Sequence, residues 1–345
     1  MSTTVVEPSG DAPQAPENVL GRLDRWQRRH RPVAFVVAVW KKFGDDQGGT
    51  LVGHLTYRGF LSLFPLLLVT VTVLGYVLEG RPDLQQDILT SAVSQFPVIG
   101  DQLRQNVGSL DGNIWALLIG VGTALWGGLG VTQAAQEVLA SVWNIPRRHR
   151  PGLPVRLLRG LLLLVVLGVA VLSTALLTSL ATALNGLGPA ARIGLIVMSL
   201  ALNFCWFALG FRALTPKGPS WSELLPGAVV AAVGLQTLLV VGTTIVDRQL
   251  SGATSSYGLF GVVLGLMAWI ALLATVFVYA AEVNPVRARC LWPRSIFTVG
   301  LTEKDRAVLN AEVEAELRAP HQSLTIGYDD EETGSRSETT EVPRR

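Results

Sequence analysis

The sequence predicts an all-α polytopic membrane protein with six transmembrane helices and an N-terminal interfacial helix. Of its 345 residues, 49% are hydrophobic and only 16% are charged, whereas soluble domains carry about 25% charged residues. Six apolar stretches are long enough to cross a hydrocarbon core of ~30 Å. Lysine and arginine are concentrated in every second connection between these stretches, as the positive-inside rule expects.

The N-terminal part of the chain is polar at first and then basic and apolar. Residues 1–20 contain no apolar run, which predicts a disordered tail and no cleavable signal peptide. Residues 21–46 carry arginines, the run VAFVVAVW and then Lys41 and Lys42. Eight apolar residues form only ~12 Å of helix, which is too short to span a bilayer. We therefore expect an amphipathic helix in the membrane interface.

The six predicted spans lie within a transmembrane domain of residues 51–292. Pro65 predicts a local helix break or kink in the first span, because proline removes a hydrogen bond and clashes with the preceding turn. Pro226 falls in the first turn of the fifth span, where a missing N–H has no effect. The spans cover about residues 55–78, 113–143, 157–184, 193–214, 224–246 and 257–283.

The connections and the C-terminal region complete the predicted topology. Residues 80–112 predict an extracytoplasmic helical loop of two short amphipathic helices. Residues 301–318 predict a cytoplasmic helix with Thr302 as its N-cap, and the composition of residues 319–345 is typical of a disordered tail. Basic residues precede the first span and follow the second, fourth and sixth. This distribution predicts a cell-membrane protein whose N- and C-termini are both cytoplasmic.

Polar side chains near the cytoplasmic ends of the spans are the candidate functional residues. Ionisable groups inside a membrane are costly and mark functional sites by default. The other interpretation is structural: Arg58 reaches the lipid headgroups, and the remaining polar residues cap helix ends. The candidate polar cluster comprises Arg58, Gln133, Gln136, Glu137, Asn144, Glu282 and Asn284.

The sequence contains none of the motifs that mark the common enzyme classes. Walker A, GxSxG, HExxH and CxxC patterns are all missing, and the four histidines and two cysteines are scattered. We therefore expect no cofactor, no metal site and no enzymatic activity. The net charge of +2 provides no electrostatic reason to expect nucleic-acid binding, and the basic run PRRHRPG follows the positive-inside rule instead.

Four separated segments carry a resemblance to a known family. They are TYRGFLSLFPLLL (56–68), QEVLASVWNIPRRHR (136–150), WSELLPGAVVAAV (221–233), and SYGLFGVVLGLMAWI (256–270) followed by AAEVNPVRA (280–288). In order and spacing they resemble the YihY/BrkB family of bacterial inner-membrane proteins over residues 25–292. The chain departs from the family pattern at Arg58, where an uncharged residue is more frequent. Matching positions include Tyr57, Pro65, Trp143, Asn144, Pro226, Gly227, Tyr257, Gly258, Glu282 and Asn284.

The resemblance implies six transmembrane helices and a role in the cell envelope, with transport as one candidate. Some members carry an older ribonuclease BN label, for which this sequence offers no metal-binding constellation. We expect a protein that moves or handles a lipid or another envelope component. The alternative is a membrane scaffold for envelope biogenesis that acts through its cytoplasmic tails, and a membrane-bound enzyme is the least expected.

The expected partners are membrane lipids and an unknown envelope substrate, with no nucleic acid. Small-residue repeats also suit a homo-oligomer.

Overall fold

The computed structural model describes residues 19–77, 114–183, 189–216, 219–257, 259–296, 302–317, 322, 325–329 and 336–341. Within these ranges the chain is mainly helical. The predicted extracytoplasmic loop of residues 80–112 and the tail before residue 19 lie outside them. The helices are α1 (Val19–Arg29), α2 (Arg31–Asp45), α3 (Gly48–Val77), α4 (Ile114–Val142), α5 (Leu153–Ala183), α6 (Pro189–Leu214), α7 (Trp221–Tyr257), α8 (Leu259–Ala288) and α9 (Glu303–Ala315).

The six long helices, α3 to α8, form a closed ring in which neighbours in sequence are also neighbours in space. Each helix packs on the next, and α8 returns to pack on α3. The connections from α4 to α5 and from α6 to α7 are short, which favours antiparallel neighbours. We call one end of this bundle the basal end. It is formed by the starts of α3, α5 and α7 and by the ends of α4, α6 and α8.

Four of the described helices contain stretches that are long and apolar enough to cross a membrane. Their outer sides expose many large apolar residues, such as Leu158, Val165 and Val240. A soluble protein rarely exposes so much apolar surface, whereas lipid is the natural solvent for it, so the chain is embedded in a membrane. The stretches are Leu153–Ala170, Ile193–Leu214, Trp221–Gly242 and Val263–Ala288.

Helices α3 and α4 correspond to the first and second predicted spans. They contain 30 and 29 residues, so each is about 45 Å long at 1.5 Å per residue. That these two helices also cross the membrane, which would give six spans in total, stays a prediction. Helix α3 continues past position 65, where Pro65 predicts a break, so the helix is not divided there. The effect of Pro65 on the helix axis also stays a prediction.

The single helix predicted over residues 21–46 is two helices in the structure. Helix α1 ends at Arg29, and α2 begins at Arg31 with Pro32 in its first turn. Proline is accepted there because the N–H groups of the first turn have no partner within the helix. The break divides a basic segment from a more apolar one, a change that hydrophobic periodicity over 26 residues does not reveal.

Helix α2 lies against α8 at the basal end. Its buried side carries Ala34, Ala38 and Lys42, which recur every fourth residue on one face. Val36 and Trp40 are exposed on the opposite side. This distribution fits a helix held between the bundle and lipid headgroups, but its placement in the interface stays a prediction.

Glycine is required in the tight turn between α2 and α3. Gln47 has a positive φ of 54°, and a Cβ at Gly48 would lie 2.4 Å from the ring of Phe43. The turn therefore brings α3 back directly against the end of α2. As a result, the acidic residues that end α2 face the basal end of the bundle.

The described hydrophobic core is concentrated at the basal end. Helices α4, α6, α7 and α8 all contribute to it, which joins the ring of helices there. Its fully buried members include Val138, Leu139, Val142, Phe211, Leu224, Ala228, Ala231, Val278 and Ala281. The polar groups described below are therefore set in an apolar and tightly packed surrounding.

Two short strands lie in the C-terminal region that the sequence predicts to be disordered. Strand β1 (Thr325–Asp329) pairs antiparallel with β2 (Arg336–Glu341). An isolated two-stranded hairpin is marginally stable, and its polar sequence gives little periodic signal. Composition alone therefore predicts disorder where the structure has a hairpin.

Candidate functional site

A buried ion cluster built on Lys42 occupies the basal end. The ammonium group of Lys42 contacts a carboxylate oxygen of Asp46 and lies 3.1 Å from Oε2 of Glu282 in α8. It also donates a hydrogen bond of 2.9 Å to the carbonyl oxygen of Val142, at the end of α4. Lys42 and Glu282 are both fully buried. The ammonium group thus makes two hydrogen bonds and one ion pair, and these three contacts join α2, α4 and α8.

Asn144 extends this cluster from the connection after α4. It has a positive φ of 48°, a conformation that asparagine tolerates better than most residues. The turn that results directs its amide towards Asp46, to which it donates a hydrogen bond of 3.3 Å. Asn144 and Glu282, both predicted as site residues, are therefore joined through Lys42 and Asp46.

Asn284 lies two residues after Glu282 in the sequence, but its side chain does not join the Lys42 cluster. It holds α7 and α8 together instead. Its Oδ1 accepts a hydrogen bond of 2.7 Å from the backbone N–H of Gly227 in α7. A Cβ at position 227 would lie 2.3 Å from the carbonyl oxygen of Ala280, so glycine permits the close approach of α7 and α8. Asn284 is fully buried and serves this contact.

Gln136 and Glu137 lie in a separate pocket between α4, α5 and the end of α6. The side-chain amide of Gln136 donates a hydrogen bond of 3.1 Å to the carbonyl oxygen of Arg156. Glu137 lies 3.7 Å from Nε2 of His54 and 4.0 Å from Nη1 of Arg150. The single polar cluster predicted from the sequence is thus divided between two places.

Arg58 and Gln133 belong to neither place in the described structure. Arg58 is exposed on α3, and a Cβ at Gly130 of α4 would lie 3.7 Å from its Nη1 atom. Gln133 is half-buried on α4. The exposed position of Arg58, where the chain departs from the family pattern, is consistent with a side chain that reaches out of the bundle.

A second ion cluster attaches α9 to the end of α2. The buried guanidinium group of Arg294 lies 2.7 Å from Asp45 and 2.8 Å from Asp305. The ammonium group of Lys41 lies 2.9 Å from Asp305 and donates a hydrogen bond of 2.7 Å to the carbonyl oxygen of Ser295. Neighbouring residues of α2 therefore serve different clusters: Lys41 and Asp45 contact the α9 region, whereas the residues after them contact the bundle.

Sequence reasoning missed the central roles of Lys42 and Asp46. In the sequence Lys42 indicates only the cytoplasmic side of the membrane, because lysines at the end of an apolar run fit the positive-inside rule. The signal that could have identified the pair is their spacing, since residues four apart share one helix face. Their partner Glu282 is far away in the sequence, so no local pattern could have linked it to them.

Asp305 is held ionised by the groups around it. Burial alone would raise the pKa of Asp305, but hydrogen bonds from the Thr302 side chain, the Lys41 ammonium group and the backbone N–H groups of Thr302 and Ser295 hold this pKa below its usual range. Thr302 also caps α9, as the sequence predicts. The ionised carboxylate of Asp305 therefore stabilises the first turn of α9 and also attaches this helix to Lys41 and Arg294.

Replacing Asp305 with asparagine is expected to release α9 at neutral pH. Because the folded pKa lies below the unfolded value of ~3.9, ionised Asp305 stabilises the docked helix above about pH 4, and this stabilisation is lost as the pH falls through the folded value. The hydrogen-exchange protection of residues 303–315, relative to the intrinsic exchange rate at each pH, should fall in Asp305→Asn at pH 7 and in the wild type below pH 3. The control is Glu303→Gln, which changes an exposed side chain in the same turn. Equal exchange in both variants would contradict the role of Asp305.

Comparisons with known proteins identify relatives over most of the chain. The family model described as "Virulence factor BrkB" matches residues 39–294. The chain is 25% identical to "Inner membrane protein YhjD" of Escherichia coli (strain K12), covering 78% of this chain and 85% of that protein. It is 28% identical to an uncharacterized protein of Dickeya dadantii (strain 3937), covering 76% and 86%.

The chain is also similar to a protein from another named group of membrane proteins, over a smaller share of that protein's length. The chain is 27% identical to "UPF0761 membrane protein Nmul_A0452" of Nitrosospira multiformis, covering 70% of this chain and 58% of that protein. No solved structure matches the chain. The matched range of the family model includes Lys42, Asp46, Asn144 and Glu282, so the first ion cluster lies wholly within it.

Proposed function

This chain belongs to the BrkB family of membrane proteins, and from that premise we propose that it is a non-enzymatic protein that moves an amphiphilic envelope component through the bilayer. The proposal includes an inner-membrane location with both termini in the cytoplasm, which places the basal end on the cytoplasmic side. The observation that carries the proposal is the buried cluster of Lys42, Asp46 and Glu282. Ionisable side chains at such positions are rare and mark the pathways of ions and substrates.

The composition of the cluster favours contacts that can rearrange over a permanent structural contact. Two carboxylates share one ammonium group, so the three groups carry one net negative charge when all are ionised. Among the described residues, Oε1 of Glu282 has no partner, and Oε2 has the ion-pair contact with Lys42 but no hydrogen bond. Buried polar atoms are usually hydrogen-bonded, so Oε1 is open to a further donor.

This unpartnered oxygen provides a way to couple cargo to a change of shape. A proton or a donor group of the cargo that binds Glu282 weakens its attraction for Lys42. Because Lys42 is the polar link between α2 and α8, weakening it loosens α2 from the bundle. Exposed Val36 and Trp40 on the outer side of α2 would carry this movement to the lipid. The cluster thus supplies a switch, and α2 supplies the part that moves.

The charge of Glu282 is expected to be needed for transport but not for folding. Glu282→Gln keeps the size of the side chain and leaves the Lys42–Asp46 pair in place. We expect this variant to unfold at nearly the wild-type temperature while its transport of a fluorescent phospholipid in proteoliposomes falls about tenfold, the effect of ~1.4 kcal/mol on a barrier. Quenching of the lipid from outside the vesicles measures the transport rate. Lys304→Gln, a change of a partly exposed side chain on α9, is the control.

The outcomes separate transport from the scaffold alternative. If vesicles that contain the wild-type protein transport the lipid no faster than empty vesicles, the transport proposal is overturned. If transport is unchanged in Glu282→Gln, the role of the cluster is overturned. A scaffold that acts through its tail would keep its function in Glu282→Gln and lose it when residues 318–345 are removed. This truncation leaves α9 and both ion clusters in place, whereas removal of residues 301–345 would also take Asp305 away from Arg294.

A further inference from the structure

We propose that the pocket between α4, α5 and the end of α6 binds the phosphodiester headgroup of an anionic phospholipid whose headgroup ends in a hydroxyl group. This inference rests on the proposed function and names the class of lipid that the protein recognises. We call this site the headgroup pocket. It is lined by Gln136, Glu137, Ala140, Arg150, Pro151, Arg156 and Pro216.

The charges of the headgroup pocket match one phosphodiester. Arg150 and Arg156 contribute two guanidinium groups and Glu137 one carboxylate, which leaves one net positive charge. Arg150 donates through Nε to the carbonyl oxygen of Ile145 at 3.3 Å, but its Nη1 lies 4.0 Å from Glu137, beyond a normal hydrogen bond. Guanidinium groups bind phosphate oxygens with charge-assisted hydrogen bonds. Bound phosphodiester would therefore neutralise the pocket.

An unsatisfied acceptor in the pocket selects the rest of the headgroup. Gln136 is only 3% exposed, and its Nε2 donates to the carbonyl oxygen of Arg156. Its Oε1 has no partner among the described residues. A buried acceptor without a donor is costly, and a hydroxyl group on the ligand would satisfy it. An amine would also donate, but its positive charge would restore one net positive charge to a pocket that the phosphodiester has already neutralised.

The surroundings of the pocket favour a lipid over a free phosphodiester. Helix α5 starts beside the pocket, and its outer face exposes Leu157, Leu158 and Leu161. Acyl chains attached to a headgroup in the pocket could lie along this face. The enclosed part of the pocket has a volume of about 30 Å³, which is room for about two water-sized groups. It can therefore take the hydroxyl group or a phosphate oxygen, while the rest of the lipid lies outside.

Native mass spectrometry of the full chain in detergent tests this assignment. The protein is offered equal amounts of phosphatidylglycerol and phosphatidylethanolamine, and the lipid retained is measured. We expect the wild type to retain phosphatidylglycerol, and Arg156→Gln and Gln136→Leu each to lower this retention about tenfold, as loss of one hydrogen bond to a charged or buried group predicts. Arg212→Gln, an exposed arginine at the basal end of α6, should bind as the wild type does. Arg156→Lys, which keeps the charge, should retain part of the binding.

Each other outcome overturns a defined part of the proposal. Equal retention by Arg156→Gln and Arg212→Gln would remove the pocket as the binding site. A wild-type preference for phosphatidylethanolamine would contradict the hydroxyl assignment. Displacement of the lipid by an equal concentration of soluble glycerophosphoglycerol would show that a free phosphodiester is the ligand.

Transport measured in the same variants distinguishes this site from the proposed function. Specific lipid retention in a wild type that moves no lipid would support the headgroup pocket and contradict transport. Transport without any specific retention would do the reverse. The two proposals can therefore fail independently.

Discussion

Replacing Lys42 with methionine is expected to lower the free energy of unfolding by about 3–5 kcal/mol, the usual effect of removing one partner from a buried ion cluster. Methionine fills similar space and removes the cation that, alone among the described residues, contacts both Asp46 and Glu282. Two carboxylates would then remain together in the core of the basal end, and the link from α2 to α4 through the Val142 carbonyl would be lost. Thermal unfolding of the purified protein in detergent measures the loss.

A neutral version of the whole cluster separates charge from packing. In the triple variant Lys42→Met, Asp46→Asn, Glu282→Gln, no charge is left unpaired, so most of the lost stability should return. Lys304→Met is the control, because Lys304 is partly exposed and lies 4.0 Å from an exposed carboxylate. A single variant as stable as the wild type, or a triple variant no more stable than the single one, would contradict this account.

Replacing Gly227 with alanine is expected to separate α7 from α8 and to destabilise the protein by about 3 kcal/mol or more. In an open helix the same change stabilises, because alanine is the better helix former by ~1 kcal/mol. Here the new Cβ would lie 2.3 Å from the carbonyl oxygen of Ala280 and 2.5 Å from the amide of Asn284. The carbonyl belongs to the backbone of α8 and cannot turn aside. The hydrogen bond from Gly227 to Asn284 would also be lost.

Other glycines of the chain provide graded controls. Nothing lies within 4 Å of a Cβ at Gly53 of α3, so Gly53→Ala should be neutral or slightly stabilising. A Cβ at Gly242 would meet the ring of Trp269, a side chain that can move, so Gly242→Ala should have an intermediate effect. The yield of monodisperse protein and its unfolding temperature give the order. Gly227→Ala as stable as Gly53→Ala would show that the α7–α8 contact is looser than described.

The long helices could be predicted from the sequence because their apolar runs are long and uninterrupted. The prediction of residues 193–214 agrees closely with α6, and that of 257–283 with most of α8. Helix α7 continues to Tyr257, beyond the predicted end at residue 246. Hydropathy falls at the polar residues after 246, but polar residues do not end a helix, so hydropathy marks the apolar run and not the helix end.

The arrangement of the polar residues could be predicted only in part. The positions of Glu282 and Asn144 at span ends predict that they are site residues, and the structure brings them together. The sequence also predicts Gln136 and Glu137 in this cluster, but they line the headgroup pocket instead. Which faces of two helices meet depends on long-range packing, which a single sequence does not report. The positive φ of Asn144, which turns its amide to Asp46, leaves no periodic signal either.

The closed ring of helices has a consequence for synthesis of the protein. Helix α3 is made first and its closing neighbour α8 last, and about 240 residues separate Lys42 from Glu282, which takes roughly 12–48 s at ~5–20 residues per second. Lys42 leaves the ribosome before Glu282 is made. At that stage Asp46 is the one carboxylate of its cluster that is already present. A chain truncated before α8 is therefore an open row of helices, with the Lys42 face and the α3 face both unfinished. Completion of the ring is the last step in assembly of the six-helix bundle, and quality-control proteases in the membrane have that interval to distinguish finished chains from interrupted ones.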